Sequence, residues 1–156
     1  MIQRIQRLLP FLTLILLFVA LTIATPHFLT KINLSSVARQ TAVINIMALG
    51  MTPVIISGGI DISVGSMLAL AGLFGTMAIK SGQPIPMAVA MGIGTGLLCG
   101  IVNGLLITRL RVNPFIVTLG TLGIFRGVAL VVSNGLPVHE IPESFSYLGD
   151  GALLGV

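Results

Sequence analysis

Charged side chains are scarce in this sequence of 156 residues. Only 8% of the residues are charged, whereas 55% are hydrophobic and the mean hydropathy is +1.11. An ordinary soluble domain carries roughly 25% charged residues. The composition therefore excludes an ordinary soluble domain and indicates a membrane protein.

The residues that usually carry catalysis or bind metals are scarce as well. A single cysteine, Cys99, excludes an internal disulfide, and the two histidines, His27 and His139, lie far apart in loops. The sequence contains no paired carboxylates, no His/Cys cluster, no serine with a plausible histidine base and no Walker-type phosphate loop. We therefore expect no catalytic site, no metal site and no bound cofactor in this chain.

Long uncharged runs make up most of the chain. Because they are continuous rather than alternating, and close to the roughly 17 to 25 residues that a helix needs to cross the hydrocarbon, they favour helices over strands. We predict an all-α, polytopic transmembrane helix bundle that forms a single domain with about five spans. The spans lie near residues 8–25, 40–57, 62–79, 84–108 and 113–132, and the second and third are the least separable.

The few charges indicate an orientation. Arg4 and Arg7 precede the first predicted span. Arg109 and Arg111 separate the fourth from the fifth, and the positive-inside rule therefore places the N-terminus in the cytoplasm. The net charge of +4 is then a mark of topology and not of a nucleic-acid partner. Residues 133–156 become an extracytoplasmic loop followed by the start of a further apolar segment.

Glycines recur at every fourth residue along the fourth predicted span. They are Gly92, Gly96, Gly100 and Gly104. This spacing lines one side of a helix with glycine and lets another backbone approach closely. We predict that the strip packs against a neighbouring helix.

Asp61 lies within residues 40–79, which carry no other charge, in the stretch ISGGIDISVG at residues 56–65. In one interpretation, its carboxylate caps the third span by accepting backbone N–H groups at the positive end of the helix dipole. In the other, Gly58 and Gly59 break a helix at membrane depth, where irregular backbone is tolerated when it is buried in protein or lines a cavity. The residues themselves leave both interpretations open.

Arg126 is the second ionisable group within a predicted span. It lies twelve residues past Pro114, roughly 18 Å along a helix and so past the midplane. Its side chain can extend towards the membrane surface or pair with a carboxylate of this chain or another. A direct pair with Asp61 would require the glycine break to lie deeper than the five-span scheme allows.

Three motifs, in their order and spacing, point to a known family. They are SGGIDISVGS at residues 57–66, Asn103-Gly104, and NPFIVTLGT at residues 113–121 followed by Arg126-Gly127. Together they resemble the membrane permease subunits of ribose-type bacterial ABC sugar importers, and the resemblance covers the whole chain.

The resemblance implies a multi-pass subunit of the bacterial inner membrane that works by alternating access and has no catalytic site of its own. Its implied partners are a cytoplasmic ATP-binding subunit that binds the ATP, a periplasmic sugar-binding protein that delivers a monosaccharide such as ribose, a second permease copy and the lipid bilayer. Members of that family are considerably longer, so we expect the chain to be the N-terminal half of such a permease.

The resemblance also selects candidate residues for the translocation path or a helix break, without telling which of them touch sugar. These candidates are Ser57, Gly58, Gly59, Asp61, Ser63, Gly65, Asn103, Thr118 and Arg126. The matching motifs further contain Gly104, Pro114, Phe115, Gly120 and Gly127.

Two other hypotheses stay open. One is an inert membrane bundle that only assembles with other permease chains. The other is a small dimeric channel or carrier. Ion-coupled carriers need more intramembrane ionisable groups than Asp61 and Arg126 supply, which counts against the carrier.

Overall fold

The computed structural model describes residues 2–139, 141–142 and 145, and the regular structure in this part of the chain is helical throughout. Backbone contacts divide the chain into two compact units, Met1–Ile46 and Met47–Val156. The helices are α1 (Ile2–Ala24), α2 (Lys31–Ile56), α3 (Val64–Lys80), α4 (Ile85–Thr108) and α5 (Pro114–Val132). Most of the predicted loop and further segment at residues 133–156 lies outside the described residues.

Three of these helices, α2, α4 and α5, are long and apolar enough to cross a membrane. Two shorter apolar helical stretches are Leu8–Ala24, within α1, and the helix α3. The chain is therefore an all-α transmembrane bundle, as predicted from its composition. The count of five spans and the cytoplasmic N-terminus stay predictions.

The second helix begins nine residues before the span predicted at residues 40–57. Thr30 caps it, because its hydroxyl oxygen accepts the backbone N–H of Asn33 at 3.3 Å. The Asn33 amide in turn donates to the carbonyl oxygen of Phe28 at 2.8 Å. The first turns of α2 are polar, so a search for apolar runs misses them although their caps are present.

The unit Met47–Val156 is built around α3, which packs most extensively on α4 and next on α5. Each of the three helices contributes one side chain to a buried cluster of the core, which consists of Leu70, Cys99 and Phe125. Met67, Phe74 and Ala129 pack around these three. A core made by three helices fixes the ends of α3, α4 and α5 relative to one another, and this is what positions the polar residues described below.

Helices α3 and α4 approach each other closely at Gly75 and Gly92. A Cβ atom on Gly92 would lie 3.2 Å from the carbonyl oxygen of Ala71, and one on Gly75 would lie 3.3 Å from that of Ala88. The backbones therefore meet without side chains between them, which is how small residues let membrane helices pack.

The four glycines predicted to form a strip on α4 have different surroundings. Gly92 lies at the crossing with α3, and a Cβ on Gly100 would lie 3.9 Å from the Met67 side chain. A Cβ on Gly96 or Gly104 would have no atom within 4 Å among the described surroundings. A packing role for Gly96 and Gly104 stays a prediction.

Candidate functional site

Residues 57–63, which we call the connector, join α2 to α3. Gly58 has a φ of +76°, and its N–H donates to the carbonyl oxygen of Ile55 at 3.0 Å. The N–H of Gly59 donates to the carbonyl oxygen of Val54 at 2.9 Å, and a Cβ on Gly59 would lie only 3.2 Å from that oxygen. These bonds form a Schellman cap. The two glycines thus end α2 for different reasons, Gly58 for its conformation and Gly59 for lack of space.

Replacing Gly58 with alanine is expected to destabilise the protein by about 1–2 kcal/mol, because an L-residue with a side chain is strained at positive φ. Gly50 is the matched control, since it lies inside α2 and has open space around it. Gly50→Ala should be neutral or stabilising by up to about 1 kcal/mol. Thermal unfolding of the detergent-solubilised chain, followed by circular dichroism, measures both. Equal unfolding midpoints for the two variants would contradict this account of the cap.

Asp61, Ser63 and Asn103 form what we call the polar cluster, where the connector meets α4. The backbone N–H of Ser63 donates to Asp61 Oδ1 at 2.8 Å, and the Ser63 hydroxyl donates to the same oxygen at 2.6 Å. The Asn103 amide Nδ2 donates to Ser63 Oγ at 2.9 Å. Ser63 is 0% exposed and Asn103 is 4% exposed, whereas Asp61 is partly exposed. The cluster therefore runs from an accessible carboxylate to a buried amide.

The Asp61 carboxylate accepts from Ser63, the residue immediately before α3, and this bond closes a turn of the Asx type. Ser63 itself makes no side-chain cap to the helix. The carboxylate thus organises the approach to α3 through Ser63, and both the N–H and the hydroxyl of Ser63 are turned towards it.

The hydrogen bonds of the polar cluster also determine the orientation of the Asn103 amide. Ser63 has one hydroxyl proton, and the 2.6 Å distance assigns it to the Asp61 carboxylate. The group that faces Ser63 Oγ from α4 must then be a donor, so Asn103 presents Nδ2 to it. Asn103 Oδ1 is buried and has no hydrogen-bond partner in the described part of the chain. A buried acceptor without a donor costs about 1–3 kcal/mol.

Thr118 links the connector to α5. Its hydroxyl lies 2.9 Å from the carbonyl oxygen of Pro114 in its own helix and 3.2 Å from that of Ile60 in the connector. A third carbonyl, that of Phe115 in the same helix, lies 3.4 Å away. Thr118 is 1% exposed, so its single hydroxyl proton is directed to these carbonyls away from solvent. The connector is therefore joined to α4 through Ser63 and to α5 through Ile60.

Replacing Thr118 with valine, which has nearly the same shape, should destabilise the protein by about 0.5–1.5 kcal/mol because the bond to Ile60 is lost. Thr95→Val is the matched control, since the Thr95 hydroxyl is exposed and donates only within α4, to Met91. Cys99 is the single cysteine of the chain and is buried, so its reaction with a fluorogenic thiol reagent during heating reports unfolding. Similar unfolding midpoints for Thr118→Val and Thr95→Val would count against the link.

Arg126 is not brought to Asp61. It is exposed on α5, eight residues beyond Thr118, which is about 12 Å along the helix. There it lines a cavity of about 490 Å³ together with Thr76 and Ser133. Asp61 and Arg126 thus belong to two separate polar regions of the unit.

A larger groove of about 620 Å³ runs along α3 and α4. Its lining is almost entirely apolar and includes Met67, Ala71, Gly72, Gly75, Gly92 and Gly96, with Thr76 as a hydroxyl-bearing exception. A sugar needs several hydrogen-bonding groups to replace its water. The groove therefore does not suit a sugar, whereas the polar cluster and the Arg126 cavity offer polar groups.

The remaining candidate residues lie nearby with local roles. The Ser57 hydroxyl is exposed and donates to the carbonyl oxygen of Val54 at 2.8 Å, and Gly65 is exposed in the first turn of α3. Two residues next to the cluster were not predicted. The buried Ser66 hydroxyl donates to the Ser63 carbonyl at 2.8 Å, and Met67 Sδ lies 3.3 Å from Ser63 Oγ. Their spacing of three and four residues from Ser63 places them on one helix face, a signal that the sequence contains.

Comparison with known proteins identifies the family. Residues 33–146 match the model of a family described as branched-chain amino acid transport system, permease component. The chain is 40% identical over 153 residues to the ribose import permease protein RbsC of Bacillus subtilis, covering 97% of this chain and 48% of that protein. It is 38% identical over 149 residues to RbsC of Escherichia coli K12, covering 93% and 46%.

A further relative is the L-arabinose ABC transporter permease protein AraH of Azospirillum brasilense, 35% identical over 142 residues, with 91% of this chain and 42% of that protein covered. The chain spans about half the length of the curated relatives it matches. No solved structure matches it. The chain therefore belongs to this family of transport permease components, and the resemblance to ribose-type ABC permeases that its motifs predicted is confirmed.

Proposed function

We propose that this chain forms part of the translocation bundle of an ABC importer that moves a monosaccharide such as ribose across the bacterial inner membrane. The observation that carries the proposal is the similarity to proteins named as ribose and L-arabinose permeases, which extends over 91–97% of the chain. The buried hydrogen-bonding groups at Ser63, Asn103 and Thr118 also support it, because an apolar bundle that passes a sugar needs such groups on its path.

The partners follow from the same proposal. A cytoplasmic ATP-binding subunit binds and hydrolyses the ATP, a periplasmic binding protein delivers the sugar, and a second permease copy completes the path. The N-terminus lies in the cytoplasm, on the same side as the exposed Arg109 and Arg111 between α4 and α5. In this scheme α5 begins at the cytoplasmic face and runs outwards, so Arg126 lies in the outer part of the membrane.

A hybrid permease tests the proposal. This chain replaces the matching 149 residues of the Escherichia coli ribose permease, in a strain that lacks its own ribose permease but keeps the binding protein and the ATPase. The expected result is growth on ribose and uptake of labelled ribose that requires the ATPase. The matched control hybrid carries the corresponding segment of the Bacillus subtilis relative, which tests whether a foreign segment is compatible with the rest.

Ribose uptake by the control hybrid but none by the hybrid with this chain, at equal amounts in the membrane, would overturn the proposal for ribose. The same strain supplied with an arabinose-binding protein tests L-arabinose. Assembly with the partners without uptake of either sugar would support an inert bundle. Uptake that needs no ATPase would point instead to a channel or carrier.

A further inference from the structure

The Asn103 amide oxygen is an acceptor that the described chain leaves unused. Asn103 is 4% exposed, and Oδ1 has no hydrogen-bond partner in the described residues. The amide cannot satisfy this oxygen by turning over, because the Ser63 hydroxyl donates to Asp61 and therefore needs a donor from Asn103. The hydrogen bonds among Asp61, Ser63 and Asn103 thus direct Nδ2 to Ser63 and leave Oδ1 without a donor.

An unpaired amide oxygen selects the chemistry of its ligand. It accepts from a hydroxyl or an N–H group and gains nothing from an apolar group or an anion. A monosaccharide carries several hydroxyl donors on a small ring. Asn103 is also uncharged, so a neutral sugar can bind to it and leave again without separating an ion pair.

We propose that Asn103 Oδ1 is a contact for a hydroxyl group of the transported sugar, in a site that the connector covers in the present conformation. The inference rests on the proposed function and deepens it, since it assigns one substrate contact within the path. Asp61 is a positioning residue in this site. It acts through Ser63, and its carboxylate need not touch the sugar.

The geometry of the connector is compatible with uncovering the site. Residues 59–63 have no regular secondary structure, and Gly58 at positive φ stands at their start. The Ser63–Asn103 bond and the contact between Thr118 and Ile60 join this segment to α4 and α5. Movement of the connector away from α4 breaks the first of these bonds and exposes the Asn103 amide.

The first test replaces Asn103 with leucine, which has a similar shape and no acceptor. In the hybrid permease, ribose uptake below saturation is expected to fall at least tenfold. The unfolding midpoint of the purified chain, measured through the reaction of Cys99, should stay close to that of the parent, because the loss of the bond to Ser63 is offset by the removal of an unsatisfied buried oxygen. Thr95→Val, on the same helix, is the control for both measurements. Asn103→Ala is a second variant that also lacks the acceptor. If one of the two variants fails to fold, uptake by the other decides the outcome.

The second test separates positioning from a charge in the path. Asp61→Asn keeps an oxygen that can accept from Ser63, so at least a third of the uptake should remain. Asp61→Leu removes the acceptor and should lose uptake at least tenfold. If Asp61→Asn were as inactive as Asp61→Leu, the charge itself would be required and the positioning role would be wrong.

Ribose analogues that each lack one hydroxyl test the contact directly. Uptake of each analogue is normalised to its occupancy of the binding protein. The parent should transport one analogue, the one that lacks the hydroxyl bound by Asn103, more poorly than ribose. The Asn103→Leu variant should transport this analogue and ribose equally well, because it has already lost that contact.

Two results would overturn the inference. One is that, for every analogue, the loss of uptake caused by the missing hydroxyl adds to the loss caused by Asn103→Leu. The other is ribose uptake by Asn103→Leu within twofold of the parent. In both cases the parent hybrid still transports ribose and the proposed function stands. If the parent hybrid takes up no ribose while the control hybrid does, the proposed function for ribose is itself overturned.

Discussion

Replacing Gly92 with leucine is expected to have the largest effect on stability. A Cβ at this position would already lie 3.2 Å from the backbone oxygen of Ala71 and 4.0 Å from the Cα atom of Gly75. Neither neighbour is a flexible side chain that can turn aside, so a branched side chain must push α3 away from α4. We expect a loss of about 3 kcal/mol or more, seen as a lower unfolding midpoint or as failure to accumulate in the membrane.

Gly96→Leu is the matched control, one turn further along α4. A Cβ on Gly96 would have no atom within 4 Å, and the residue lines the apolar groove, where a leucine side chain has room. Its unfolding midpoint should lie close to that of the parent. Equal destabilisation by the two substitutions would show that the whole glycine strip is packed, as its regular spacing alone predicts, and that the crossing at Gly92 is not special.

Replacing Asn103 with aspartate should destabilise the protein about as much as Gly92→Leu, although it changes a single group of the amide. The new carboxylate would face the oxygen of Ser63, whose hydroxyl proton is directed to Asp61, and so would meet a lone pair instead of a donor. A second carboxylate would also lie within two hydrogen bonds of Asp61. We expect a loss of about 3–5 kcal/mol, the cost of leaving a buried charge uncompensated.

Asn103→Leu is the control for this experiment, because it removes the amide without adding a charge and keeps a similar side-chain shape. If the aspartate variant is unstable because of its charge, Asn103→Leu should unfold close to the temperature of the parent, and Asn103→Asp far below it. Cys99, one turn away on α4 and buried in the core, reports both. An aspartate variant as stable as the parent would contradict the assigned direction of the Asn103–Ser63 bond.

The helical architecture was predictable because membrane helices leave long apolar runs in the sequence. Helices α4 and α5 each begin within one residue of the start of the predicted span. A proline marks both starts: Pro84 directly precedes α4, and Pro114 is the first residue of α5. The span predicted at residues 40–57 leaves out the first turns of α2, because they are polar and follow a threonine cap. The two units of the chain, which divide between Ile46 and Met47 within that helix, leave no mark in the hydropathy.

The candidate site was predictable only in part. The motif containing Asp61 indicated a helix break, and the two glycines do end α2. However, the partner of Asp61 depends on a local turn, and the bond between Asn103 and Ser63 joins residues 40 positions apart. The sequence contains no signal for which face of α4 meets the connector. The regular glycine spacing likewise could not reveal that α3 crosses α4 at Gly92, because four positions in register are equivalent until a partner helix is present.

The bare backbone contact between Gly75 and Gly92 bears on how the bundle responds to temperature. Contacts between backbones in a lipid environment release little water, so separating α3 from α4 should involve only a small change in heat capacity. Their association would then lack the maximum of stability near room temperature that soluble domains show. It should instead strengthen steadily as the membrane cools, and cold should not loosen this pair of helices.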